Sequence, residues 1–143
     1  MAHLDRPQDK AEGSAEDFIQ WAGRYLLPHL PEGIPAQEIY STRCAILHSL
    51  GVESRWTRVG RVRKVGFTVG GGPPIAYNPK IDPTMVIINL ELLVEAFFAG
   101  VDKYIVEAFA DSKRRPIVEK RLQHMLTSIP YRRERAADDS EEK

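Results

Sequence analysis

The segment Tyr40-Ser41-Thr42-Arg43-Cys44-Ala45-Ile46-Leu47-His48 holds the residue types best suited to chemistry in this chain. Histidine titrates near neutral pH, so His48 suits proton transfer to or from a reacting oxygen. Arg43 is always charged and presents a planar fork that matches phosphate oxygens. Placed beside a phosphoryl group, it would stabilise the negative charge that builds up in a transition state. Helical geometry puts residues five apart about 140° apart around the axis and about 7.5 Å apart along it. One helix therefore does not bring Arg43 and His48 to a single face, whereas two copies of it, meeting, would let an arginine and a histidine converge. The alternative is a surface arginine plus a histidine that favours the negative end of the helix dipole. Arg24 and His29 repeat the spacing, but Pro28 interrupts any helix between them. Cys44 and His48 are four apart and share a face. A cysteine–histidine pair would be a nucleophile, although a lone helical cysteine ordinarily acts as a small apolar residue.

Other chemistries lack their residues. The chain has no His-Glu-x-x-His zinc pattern, phosphate loop or Gly-x-Ser-x-Gly elbow. Gly70-Gly71-Gly72 runs into Pro73-Pro74 rather than a helix, which suits a turn and not a dinucleotide loop. Four histidines and the single Cys44 are too scattered to suggest a metal site, so neither metal nor other cofactor is expected. The 20 basic and 20 acidic residues cancel, and only their distribution is informative. Arg55, Arg58, Arg61, Arg63 and Lys64 form a cluster without acids, beside Trp56 and Phe67. Cationic and aromatic side chains together suit single-stranded nucleic acid, through phosphate contacts and base stacking. On a strand, Arg61 and Arg63 would share a face. The plainer possibility is a charged edge strand protected against aggregation. Asp138, Asp139, Glu141 and Glu142 near the C-terminus would compete for the basic cluster when no RNA is bound.

The elements expected to position these residues are mostly helical. The 143 residues fit one domain, large enough to bury a core without disulfides. Residues 1–13 and 131–143 are polar and read as disordered segments flanking a domain over 14–130. Met1 to Glu12 does not resemble a signal peptide. No run approaches the ~18 apolar residues of a membrane span, so a cytoplasmic protein with no membrane association is expected. Ser14 and Asp17 predict a capped helix start. Phe18, Trp21, Ala22, Tyr25 and Leu26 supply one apolar face before Pro28. A second helix is expected from Pro35 to a C-cap at Gly51, with either Ile39, Ile46 and Leu50 or Tyr40, Cys44 and Leu47 turned to the core. Alternation from Val59 to Val69 predicts a strand, paired through the Gly70–Pro74 turn into a small β-hairpin with Ile75 to Tyr77. A third strand spans Met85 to Ile88. A third helix from Leu90 to Ala110 presents Leu90, Leu93, Val94, Phe97, Val101, Tyr104, Ile105 and Ala108 as its stripe. A fourth spans about Lys113 to Ser128, with Pro116 in its first turn.

Arg43-Cys44-Ala45-Ile46-Leu47-His48 resembles the Arg-x-x-x-x-His motif of the HEPN superfamily, with Cys44 in the variable place after the arginine. The resemblance is close over the second helix and looser over the bundle. It implies a mainly α, HEPN-like helical bundle, here with the hairpin inserted between the second and third helices. It also implies a metal-independent endoribonuclease with Arg43 and His48 catalytic at a composite homodimer site. Tyr40, Ser41, Thr42 and Cys44 would support that site. Members of this superfamily are often toxins or antiviral effectors, so an antitoxin or other inhibitor protein is an implied partner alongside RNA. Two alternatives remain: a non-catalytic nucleotide- or protein-binding module, and an oligomeric scaffold.

Overall fold

Ser14 begins the first helix through the reciprocal cap that its spacing predicts. Its Oγ accepts the Asp17 N–H at 3.3 Å, and the Asp17 carboxylate accepts the Ser14 N–H at 2.7 Å. In the computed structural model, which describes residues 13–125, helix α1 spans Ala15–Trp21 and then changes winding. Ala22–Leu26 is a π turn and Leu27–His29 a 3-10 turn. Pro28 has no N–H to give the preceding turn, and the helical run ends at His29. The expectations for residues 1–12 and for those after Met125, the tail over 131–143 included, lie outside the described residues.

Helix α2 spans Ala36–Ser49, with Pro35 as its N-cap. Its end differs from expectation: the left-handed residue is Leu50, at φ 49°, and not Gly51. A side chain in that conformation costs about 1 kcal/mol, yet Leu50 is 93% exposed. Of the two apolar faces expected for α2, only Ile39 is buried in the core. Glu38, Ser41 and Ala45 turn inward, because the first two have polar partners there, while Ile46, Leu47 and Leu50 face out.

The expected long strand is shorter. Ser54 Oγ accepts the N–H groups of Trp56 and Thr57, and Thr57 Oγ1 accepts the Ser54 N–H at 2.9 Å. This capping box closes a helical turn, α3, over Arg55–Arg58. Gly60 then turns the chain at φ 68°, and strand β1 covers only Lys64–Thr68. Strands β2 (Ile75–Ala76) and β3 (Met85–Asn89) complete a sheet in the order β1-β3-β2. β1 runs parallel to β3 with Val65 opposite Val86, and β2 runs antiparallel to β3 with Ile75 opposite Ile88. The hairpin expected between β1 and β2 is therefore absent. β3 carries the densest apolar run and takes the centre, and Pro73-Pro74 cannot extend a ladder from the turn. Asn89 holds this arrangement. Its N–H bonds to the Pro74 carbonyl at 3.0 Å, its Nδ2 to the Gly70 carbonyl at 2.9 Å, and its Oδ1 accepts the Leu92 N–H at 3.0 Å.

That last bond caps helix α4, Leu90–Ala110, within the bounds the periodicity predicts. Helix α5, Arg115–Met125, returns along it with Pro116 in its first turn. The buried line of α4 is Ala96, Gly100, Tyr104 and Ala108. Tyr104 and Ala108 belong to the expected stripe, and Leu93, Val101 and Ile105 pack against the core beside them, but Ala96 and Gly100 lie outside that stripe. Leu90, Val94 and Phe97 remain 37–44% exposed. The reason is close packing: a Cβ at Gly100 would overlap the Tyr25 carbonyl oxygen and lie 2.8 Å from its carbon. Small residues spaced four apart let the α4 backbone rest on the π turn. The core is then Trp21, Tyr25, Leu26, Val65, Val86, Ile88, Tyr104 and Val118. Among the described residues, no helix is long and apolar enough to cross a membrane.

Helix propensity alone would make Gly100→Ala stabilising by about 1 kcal/mol. The contact with Tyr25 reverses the sign, and overpacking is expected to cost about 2 kcal/mol or more. Urea unfolding measures this directly, and a variant as stable as the parent would show that the two backbones do not touch.

Candidate functional site

The inner face of α2 is polar and satisfied. Glu38 is 4% exposed, and its carboxylate accepts from Arg63 Nε at 2.7 Å and from a terminal guanidinium nitrogen at 2.9 Å. It also accepts the Arg63 backbone N–H at 3.2 Å. The same guanidinium donates to the Gly33 carbonyl at 2.7 Å and lies 4.4 Å over the Tyr77 ring. The Glu38 carboxylate beside it holds the Arg63 pKa above its ordinary value. Ser41 Oγ and Ser54 Oγ, both buried, are 2.5 Å apart and tie α2 to α3. Thr42 Oγ1 donates to the Glu38 carbonyl at 2.8 Å. Ser41 and Thr42, expected to support the site, thus serve the scaffold of the helix.

The outer face carries the motif. Arg43 is exposed, with its guanidinium 5.8 Å over the Phe18 ring. Tyr40 packs between Phe18 at 5.8 Å and Trp56 at 5.1 Å. A hydrogen bond with the half-buried Cys44 thiol, followed by burial, pushes the Tyr40 phenol pKa up. His48 is exposed in the last turn of the helix. The fold therefore gathers Tyr40, Arg43 and Cys44 near one end of an aromatic row, and His48 lies one turn beyond Cys44 at the end of the helix. Ile46, Leu47 and Leu50, exposed by 44%, 59% and 93%, fall on the Arg43 side of the helix at spacings of three and four.

The basic cluster does not lie on one strand face, because Arg61 and Arg63 precede β1. Arg55 and Arg58 are exposed on α3, and Arg61 stacks over Trp56 at 4.2 Å. Lys64 pairs with Glu53 at 2.7 Å. That surface contact lowers the Glu53 pKa and raises that of Lys64. Arg61, Arg63 and Lys64 line a cleft of about 260 Å³ together with Glu38, Thr57 and Thr84. Of the five cations, Arg55, Arg58 and Arg61 remain directed outward, whereas Arg63 belongs to Glu38. Sequence reasoning missed Glu38. The available signal was an acid on the same side of α2 as Ser41 and Ala45, which a buried helix face tolerates only with a cationic partner. Among the described residues, no group of three or more His, Cys, Asp or Glu is placed to hold a metal. Comparison with family models, with curated proteins and with solved structures finds no match.

Removing one member of a buried ion pair leaves the other charge uncompensated. Glu38→Ala is expected to destabilise the domain by about 3 kcal/mol or more. Glu53→Ala, which breaks the exposed pair with Lys64, should leave stability nearly unchanged. Denaturant midpoints of the two variants test this, and equal midpoints would contradict it.

Proposed function

We propose that this chain is a HEPN-like, metal-independent endoribonuclease acting on single-stranded RNA at a site shared by two copies. The observation that carries this reading is the outer face of α2. It presents Arg43 and His48 to solvent beside the uncovered row Ile46, Leu47 and Leu50. Two such helices packed antiparallel about a two-fold axis near Leu47 would bury that row. The pairing would set Arg43 of one copy beside the helix end that carries His48 of the other. It is self-complementary in charge, since a cation approaches the negative end of a helix dipole. In the chemistry that follows, one His48 takes the proton of the ribose 2′-hydroxyl. The 2′-oxygen bonds to phosphorus, the P–O5′ bond breaks, and the second His48 protonates the departing oxygen. Arg43 stabilises the charge on the non-bridging oxygens. Arg55, Arg58 and Arg61 guide the strand toward this site. A toxin or antiviral role, held in check by an inhibitor protein, is the biological setting this reading suggests.

A second reading has its own support: within one copy, Arg43 and His48 lie on different sides of α2, which suits a binding module without catalysis. Cleavage of a fluorescent single-stranded RNA in EDTA decides between them. His48→Ala and Arg43→Ala are each expected to lower the rate by ~100-fold or more. Leu47→Glu should abolish both dimer and cleavage, and light scattering reports the dimer separately. Arg61→Glu should reduce the slope of log affinity against log salt by roughly 0.7 for each phosphate that is no longer neutralised. Wild-type cleavage by the His48 and Arg43 variants would overturn the catalytic assignment. RNA binding without cleavage by the parent chain would establish the second reading.

A further inference from the structure

The sheet carries a feature that the proposed RNA chemistry does not use. Its core face is sealed, with Val65, Val86 and Ile88 no more than 1% exposed. On the opposite face, Gly66, Ala76, Met85 and Ile87 are only half-buried. The strand register sets Gly66 and Ala76 on either side of Ile87. Two small residues flanking a branched one leave a hollow, and the chain from Tyr77 to Thr84 folds back as its wall. The hollow measures about 490 Å³ and is lined chiefly by Ile75, Ala76, Tyr77, Met85 and Ile87. That volume is in the range of small-molecule sites, which pair an apolar lining with a few placed polar groups.

The wall is held in place before any ligand arrives. The Asn78 carbonyl accepts the N–H groups of Ile81 and Asp82 at 3.0 and 3.1 Å, and its Oδ1 accepts that of Lys80 at 3.0 Å. Pro79 and Pro83 restrict the backbone on both sides. The Tyr77 hydroxyl donates to the Pro83 carbonyl at 3.4 Å, and Arg63 lies over the Tyr77 ring. Asp82 Oδ1 accepts both the N–H and the hydroxyl of Thr84 at 2.7 Å. Those bonds, the hydroxyl first, hold the Asp82 carboxyl below its ordinary range. Both use Oδ1, leaving Oδ2 open to another donor. Lys64 is the nearby cation whose field reaches Asp82, but its ammonium is bonded to Glu53. Ile81, 83% exposed, stands on the same ordered loop and lines the hollow.

We propose that this hollow binds a small amphipathic cation, with its aromatic or branched aliphatic body against Ala76, Met85 and Ile87 and its protonated amine on Asp82 Oδ2. An anion of the same shape meets the Asp82 carboxylate. A neutral ligand strips water from that carboxylate and returns nothing, at the cost of a desolvated charge. The cation alone satisfies the apolar floor and the charged rim together. Because the wall is already ordered, binding loses little entropy in arranging it.

The test uses tryptamine as the probe and indole-3-acetate as its charge-reversed counterpart, titrated into the full chain and followed by methyl NMR and calorimetry. Saturable shifts with tryptamine are expected at Ala76, Ile81, Met85 and Ile87. Indole-3-acetate should bind at least about tenfold more weakly, the size of one charge-assisted hydrogen bond. Asp82→Asn keeps an acceptor for Thr84 and should weaken tryptamine by a similar factor. Ala76→Leu should fill the floor and abolish binding without lowering the melting temperature. Equal binding of the two indoles, an unaffected Asp82→Asn variant, or shifts confined to other methyls would each overturn the proposal. So would the absence of saturable shifts.

Discussion

Glu38 imposes a requirement that much of the fold answers. A carboxylate that is 4% exposed must be matched by a cation, and Arg63 reaches it from the segment that enters the sheet. Meeting that need fixes the start of β1 against α2, because the backbone N–H of Arg63 bonds the same carboxylate as its side chain. The guanidinium then reaches the Gly33 carbonyl before α2 and the Tyr77 ring after β2. One ion pair thus joins α2, the segments before β1 and after β2, and the connector from the first helix. Its worth is geometric more than energetic, since the desolvation of two charges offsets most of their attraction.

How far the sequence foretold this depends on the range of the interaction involved. Ser14 and Asp17 are three residues apart, and their cap was legible, as were the bounds of α4 and the place of Pro116. Failures came where a distant partner outweighed a local pattern. The alternation from Val59 onward describes a strand, but Val59, Gly60 and Arg61 bond back to the α3 turn and the Arg63 N–H bonds to the distant Glu38, so β1 begins only at Lys64. The glycine-rich turn suggests a hairpin, but β3 takes partners on both sides. In α4 the stripe foretold Tyr104 and Ala108, whereas Ala96 and Gly100 are buried in place of Leu90, Val94 and Phe97, because Gly100 must clear the Tyr25 carbonyl. For the candidate site, the polarity of Arg43 and His48 foretells their exposure, but nothing local foretells that Ile46, Leu47 and Leu50 stand exposed beside them. The commitment of Arg63 to Glu38 was invisible, since 25 residues separate them.

The two ends of α2 serve different purposes. Its first half is bonded inward through Glu38 and Ser41, and packs through Ile39 against the core. Its last turns leave three large aliphatic side chains in water and place a leucine in a conformation that glycine usually takes. Strain and exposed apolar surface at one location are tolerated where something is gained from the arrangement. The anchored first half keeps that surface at a fixed orientation, so any partner meets a rigid target and ordering costs on association stay small.

The passage from β3 to α4 has a mechanical meaning. Strand residue Asn89 is followed at once by helix residue Leu90, with no loop between them. Asn89 is clamped from three directions, by the Pro74 carbonyl, the Gly70 carbonyl and the Leu92 N–H. A joint with no spare residue and three restraints cannot act as a hinge. Strand and helix therefore move as one stiff arm, with Met85 and Ile87 at one end and the long helix at the other. Tilting the arm at the sheet would swing Phe97 and Phe98 along with it, and because Val86, Ile88, Ala96 and Tyr104 lie in the core, the core itself must yield to any such load.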